Sequence, residues 1–262
     1  MSTLSYAMRD SATMLRRDLR HSLRYLPMTL SGILTPVIML VLFNYFFGGA
    51  IGSGLGGAAR GGSYINYLAP GILAMVVASG CATTAVNLCT DMNEGIITRF
   101  RTMAISRASV LSGQVLGSLL RTMISVVLVL GVALLMGFRP TASPVAWLAA
   151  LGVIALFTFG VTWMGVVFGL VGKTPAGANS LSLLFLLMAF TSSAFVRTDS
   201  MSPAVRWYAD YQPFTVVINT LRGLLLGSPI GDNAIAAAGW CLGLALLGYL
   251  LARAAYRRVA LR

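Results

Sequence analysis

Few side chains in this chain could do chemistry, and their types limit what that chemistry is. His21 is the only histidine and Glu94 the only glutamate. His21 sits among Arg16, Arg17, Arg20 and Arg24, which makes it a solvated interfacial side chain rather than a catalytic base. Glu94 has Asp91 beside it in sequence, but no acid falls in the middle of an apolar stretch, which argues against a proton relay or an ion-coupled carrier. The three cysteines, Cys81, Cys89 and Cys241, lie in or beside apolar runs. Their odd number and their spacing fit no zinc pattern, so they read as small packing residues. With so few ligands, no metal site is expected. Two phosphate-loop look-alikes fail on context. Gly52, Gly54 and Gly57 match G-x-G-x-x-G, yet an apolar span precedes them where a dinucleotide site needs a strand. Gly172-Lys173-Thr174 ends like a nucleotide-binding loop, but the position that must be glycine is Val167. The expectation is a chain with no catalytic residue and no ATP-binding loop of its own.

Polar groups recur instead at helical spacing. Thr83, Thr84, Asn87, Thr90, Asp91 and Glu94 follow three- and four-residue steps, one polar face on an otherwise apolar helix. Gln114, Ser118, Arg121 and Ser125 repeat the pattern on the next apolar run. Away from water such groups need partners. They either hold helices together or line a path for the polar part of a substrate, and spacing leaves both readings open. Arg121 must pair or reach an interface, and Asp91 or Glu94 are its expected partners. Between the two faces, Ile96, Ile97, Phe100, Met103 and Ile105 interleave with Arg99, Arg101 and Arg107. That amphipathic segment can rest on lipid or dock into the groove of a soluble partner.

The elements that must position these groups are membrane helices. Of 262 residues, 57% are hydrophobic and 10% charged, where a soluble chain carries about 25% charged. The mean hydropathy is +0.83. Apolar runs of about 20 residues exclude a soluble enzyme and predict an all-α polytopic membrane protein. Spans are expected at about 27–47, 65–90, 110–137, 145–171, 179–196 and 232–252, preceded by an amphipathic interfacial helix over 4–26. Within 200–227 the apolar part, Phe214–Leu226, is about 20 Å long as a helix, against a hydrocarbon core of about 30 Å. It is interrupted by Pro203 and Pro213 and carries Arg222, so it reads as a short re-entrant or interfacial helical hairpin. Six spans then put 14 of the 19 basic residues on one side, and the positive-inside bias makes that side, with both termini, cytoplasmic. Arg60, Arg139, Arg197, Arg206 and Arg222 fall on the other side. The formal net charge of +12 is thereby a matter of orientation and points to no nucleic acid. Gly165-x-x-x-Gly169 and Gly239-x-x-x-Gly243 are candidate close-packing faces.

Two stretches carry a family resemblance. Asp91-Met-Asn-Glu-Gly-Ile-Ile-Thr-Arg-Phe-Arg-Thr-Met-Ala-Ile-Ser-Arg107, with Gly113 and Leu120-Arg121, resembles the cytoplasmic signature of ABC-2 type export permeases, and of their daunorubicin-resistance drug-export subgroup in particular. Phe195-Val-Arg-Thr-Asp-Ser-Met201, Gln212-Pro-Phe-Thr215 and Leu221-Arg-Gly223 to Gly227 resemble the extracellular re-entrant hairpin before that family's last span. The chain departs from the pattern at Ala104 and Arg197, where the family commonly has proline. The resemblance implies a single transmembrane domain over 1–262, in a bacterial inner-membrane exporter of two permeases, identical or sister chains, and two separate ATP-binding subunits. ATP and magnesium would be bound by those partners, and no cofactor by this chain. It maps the coupling segment onto 94–107, with Glu94, Gly95, Arg99, Phe100, Arg101, Ile105 and Arg107 receiving the motion of the ATPase. The path would run between permeases along the first, second and fifth spans, with Thr83, Thr84, Asn87, Asn179 and Ser182 as candidate contacts. Pro213, Phe214 and Arg222 would belong to the hairpin. An apolar path dotted with hydroxyl and amide groups suits an amphiphilic drug, antibiotic or lipid-like compound. The alternatives are an ABC-2 exporter of polysaccharide or lipo-oligosaccharide and, further off, an ATP-independent secondary transporter.

Overall fold

The computed structural model describes residues 26–47, 64–94 and 107–260. The expected interfacial helix before Leu26, the glycine-rich loop and residues 95–106 lie outside the described residues. Every long regular element among those described is an α-helix, as an apolar chain in a medium without water requires. α1 (Leu26–Leu42) runs on through a π-helical turn at Phe43–Phe47. α2 is Tyr64–Asn93, α3 Arg107–Leu135, α4 Pro144–Val171 and α5 Pro175–Phe190. A short 3-10 turn at Thr198–Ser200 leads to α6 (Pro203–Tyr211), α7 (Pro213–Leu226) and α8 (Asn233–Ala260).

Local chemistry sets the ends. Ser143 and Thr174 cap α4 and α5, accepting the N–H of Ala146 at 3.3 Å and of Gly177 at 3.1 Å. Pro144, Pro175, Pro203 and Pro213 each open a helix, where the missing N–H has no partner to lose. α7 stops at Gly227, whose φ of +69° lets its N–H return to the Gly223 carbonyl at 3.0 Å. α5 differs from the expected 179–196. It starts earlier because Thr174-Pro175 is a start signal. It ends at Phe190 because the hydroxyls of Thr191 and Ser192 turn back onto the Leu187 and Ala189 carbonyls at 2.9 and 2.6 Å.

Among the described residues, 4 helices are by length and composition able to cross a membrane: Tyr64–Asn93, Ser112–Leu135, Pro144–Val171 and Asn233–Arg257. Leu34–Phe46, Pro175–Phe190 and Pro213–Leu226 are shorter apolar helices.

α2 and α4 form the centre. α2 touches α1, α3, α4, α5 and α7, and α4 also carries α8. The first half of α2, Tyr64 to Ala78, is buried on all sides. The α2–α4 contact is nearly backbone to backbone. A Cβ on Gly165 would stand 2.8 Å from the Cys81 carbonyl oxygen, and one on Gly169 2.8 Å from that of Ala85. The expected packing face on α4 is thus present, whereas Gly239 and Gly243 meet nothing within 4 Å in this chain. That second pair faces outward because α8 turns a different glycine, Gly248, onto Trp163 of α4.

α7 is wedged among these helices. At its start Phe214 lies edge-on to Phe157 of α4 at 5.0 Å and near Phe185 of α5 at 6.2 Å. At its end the Leu225 carbonyl accepts the N–H of Thr141, in the α3–α4 connection, at 3.0 Å. It therefore climbs from the middle of the bundle to one end.

Candidate functional site

The densest polar cluster in the described core is built on α7. Thr215, Asn219 and Arg222 recur at four- and three-residue steps and so form one stripe. That stripe faces Ser193, in the linker that leaves α5. The Ser193 N–H donates to Thr215 Oγ1 at 3.1 Å and its hydroxyl to Asn219 Oδ1 at 3.2 Å. From the other side α2 presents Tyr64 and Tyr67, one turn apart. Tyr67 Oη donates to the Ser193 carbonyl at 2.8 Å and Tyr64 Oη to that of Phe195 at 3.3 Å. Gly71 completes the seat, since a Cβ there would come within 2.7 Å of Ala194 Cα.

Arg222 ties the three elements together. It is buried, with 9% of its surface exposed. Nε and Nη2 donate to the Tyr67 carbonyl at 3.3 and 3.0 Å, and Nη2 also donates to the Ser193 carbonyl at 2.6 Å. Nη1 donates to Ser193 Oγ at 3.1 Å and Asn219 Oδ1 at 3.2 Å. The guanidinium carbon lies 3.7 Å from the centre of the Tyr67 ring. A buried cation is costly unless its donors are met. Here neutral acceptors and one aromatic face replace its water, at about 1.5–3 kcal/mol for each bond to a charged group. The sequence reading counts Arg222 among the outer charges; the structure folds it inward.

Outside this cluster the 3-10 turn and α6 share an exposed ion network. Asp199 bonds Arg197 at 2.8 Å and Arg206 at 2.7 Å, and Arg206 also meets Asp210 at 3.5 Å. The hydrogen bond from Arg197 and the charge of Arg206 hold the Asp199 carboxyl below the usual carboxylate range. At the bend between α6 and α7 sits Gln212, 4% exposed. Neither of its amide atoms has a hydrogen-bond partner among the described residues.

The candidate path residues do not share one surface. Thr84 is buried where α2 meets Gly165, and its hydroxyl donates to the Gly80 carbonyl at 2.8 Å, so it packs. Thr83 is half-buried and bonded back to Ser79 at 3.1 Å; Asn87 is half-buried as well. On α5, Asn179 is exposed while Ser182 is buried and donates to the Ala178 carbonyl at 2.9 Å. Arg121 is not brought level with the acids. Gly80 of α2 abuts Thr122 of α3, which leaves Asp91 about 16 Å further along α2 at 1.5 Å per residue. Glu94, exposed at the end of α2, and Arg107, in the first turn of α3, bracket the stretch expected to couple to an ATPase. Gly95, Arg99, Phe100, Arg101 and Ile105 lie outside the described residues. Beside Glu94, Asn93 Nδ2 donates to the Lys173 carbonyl at 3.4 Å, joining that end of α2 to the α4–α5 turn.

Tyr64, Tyr67, Ser193 and Asn219 are absent from the sequence reading. The tyrosine pair one turn apart and the 215/219/222 stripe were readable signals. What they grip is a linker that no periodicity marks.

Comparison with known proteins gives this bundle its relatives. The family model described as ABC-2 type transporter matches residues 10–226. The "Daunorubicin resistance ABC transporter permease protein DrrB1" of Streptomyces coeruleorubidus is 28% identical over 215 residues, covering 82% of this chain and 71% of the relative. The "Probable doxorubicin resistance ABC transporter permease protein DrrC" of Mycobacterium tuberculosis is 21% identical over 231 residues, covering 88% of this chain and 82% of its own length. A family match that reaches from before α1 to the last residue of α7 makes this multi-pass membrane chain a member of the ABC-2 type transporter family.

Proposed function

We propose that this chain is the permease subunit of an ATP-driven exporter that moves an amphiphilic drug or lipid-like compound out across a bacterial inner membrane. The observation that carries the reading is the pair of relatives named as drug-resistance permeases, each aligned over more than four fifths of this chain. In this reading α1, α2, α3, α4, α5 and α8 are the six spans, with both termini cytoplasmic. α6 and α7 are the re-entrant hairpin. The contacts of α7 support that assignment, since a helix that begins against Phe157 and ends against Thr141 reaches halfway rather than across. Exposed Trp207 and Tyr211 on α6 suit the outer interface.

ATP is hydrolysed by two copies of a separate subunit, which bind the nucleotide and magnesium, and a second permease or sister chain completes the pathway. Segment 94–107 receives their motion; the anchorage of Asn93 on Lys173 would pass it to the α4–α5 turn as well as along α2. Thr83, Asn87 and Asn179, which keep some exposure, are the better placed of the path candidates; Thr84 and Ser182 hold helices together.

The test is co-purification in mild detergent with the ATP-binding protein encoded beside the gene. Stoichiometric capture by the parent, lost in a Glu94→Arg, Phe100→Asp double variant, is the expected result. It should be accompanied by lower daunorubicin accumulation in cells expressing the pair. No ATPase captured by a well-folded parent would sink the proposal.

A further inference from the structure

Arg222, Ser193 and Tyr67 belong to three elements that any transport cycle must move or hold. Ser193 lies on the only covalent link between α5 and the α6–α7 hairpin, Tyr67 on the most buried helix, and Arg222 on the hairpin itself. All five N–H directions of the guanidinium meet acceptors on these elements, and its flat face is stacked. Ser193 is saturated too: its N–H, hydroxyl and carbonyl are all engaged by α7 or α2. A linker held only by its ends would flex when α5 moved, and the hairpin would lag. Held at this one residue from both sides, it cannot bend without leaving several buried polar atoms unmet.

We propose that Arg222 is a positioning residue for export: it locks the α5–α6 linker and α7 to the start of α2, so that the hairpin travels as one body with α2. The idea rests on the exporter reading above. Glu94 and Lys173 mark the opposite end of the same bundle, so a displacement applied there reaches the hairpin through α2 with no slack at the linker. A lysine at 222 keeps the charge but loses the planar fork and the stacked face. A methionine loses both.

The experiment uses the full complex with its ATPase in proteoliposomes. Ser192→Cys is nearly isosteric, lies next to Ser193 and is buried. The native Cys81, Cys89 and Cys241 are buried as well, so a water-soluble maleimide reads position 192. In the parent, labelling is expected to stay slow both at rest and during ATP turnover. Arg222→Met should raise the labelling rate and lower daunorubicin exported per ATP, each by about tenfold, the scale of losing one bond to a charged group. Basal ATPase activity should stay at the parental level. Arg222→Lys should fall between the two on both readouts, and it carries the test alone where the methionine variant does not assemble. Tyr67→Phe keeps the ring and the carbonyl that hold Arg222 but loses the Oη bond to the Ser193 carbonyl, so it should raise labelling and lower coupling by less than Arg222→Met. Three results would overturn the proposal: labelling of the parent that rises during turnover, parental labelling and coupling in Arg222→Met, or loss of assembly, ATPase and export together in both variants. A parent complex with no ATP-dependent export would defeat the exporter reading instead, and the labelling comparison would still report on the lock.

Discussion

Gln212 and Arg222 lie ten positions apart on the same hairpin and show opposite ways of burying a polar group. Arg222 has every donor met, so removing it strands its acceptors. Gln212 has both amide atoms unmet among the described residues, so removing it strands nothing. Gln212→Met should therefore raise the stability of the purified chain by about 1 kcal/mol, read as a higher midpoint of thermal unfolding in detergent. Gln212→Glu should lower it, because a carboxyl is harder still to bury. A destabilised Gln212→Met would mean that the amide has a partner in the assembled protein. Asp199 makes a smaller, exposed contribution that depends on pH. Its carboxyl is held below the usual range in the folded chain, so its contribution is complete above the ordinary carboxylate pKa and fades as the pH falls through the lowered one. Asp199→Asn should therefore flatten the acid side of the stability profile and leave neutral pH almost unchanged, since the network is exposed and screened.

Among the elements, α4 is the one whose sequence tolerates least. Its glycines admit the backbones of two neighbours, α2 at Gly165 and Gly169 and α8 at Gly160, where a Cβ would come within 2.8 Å of the Cys81, Ala85 and Cys241 carbonyl oxygens. Gly165→Ala should cost about 1–3 kcal/mol through forced separation of the helices. Gly239→Ala, which meets nothing in this chain, should stay within about 0.5 kcal/mol. Equal losses from both, measured as unfolding midpoints of the detergent-purified chain, would contradict the packing described here. The two G-x-x-x-G pairs look alike in sequence because the motif records only what is small, and which face a helix turns inward is decided by its neighbours. Helix existence was legible: helices occupy the stretches expected to be spans, and 4 of those among the described residues are long and apolar enough to cross a membrane. The fifth expected span was misplaced by a few residues because a Thr-Pro start and a Thr-Ser-Ser end outweigh hydropathy locally. Asp91 and Glu94 were the expected partners of Arg121 as the acids nearest it in sequence; the axial register of α2 against α3, set where Gly80 meets Thr122, is what residue spacing does not give.

On the scale of the whole molecule, composition excluded a soluble enzyme, and two short signatures carried the family. The polar lock was not legible as a unit, because its parts come from the start of α2, the end of α5 and the last turns of α7. Tyr67 and Arg222 are 155 positions apart. That separation has a consequence for the order in which the protein is made. A chain emerging from the ribosome delivers α2 to the membrane long before Arg222, which bonds its first turn, and Ser193 also arrives ahead of its partners on α7. Until α7 is inserted, Ser193 lacks the Thr215 and Asn219 side chains that take up its N–H and hydroxyl, and only Tyr67 Oη holds its carbonyl. The nascent chain is thus incomplete, and a fitting target for quality-control proteolysis, until α7 is in place.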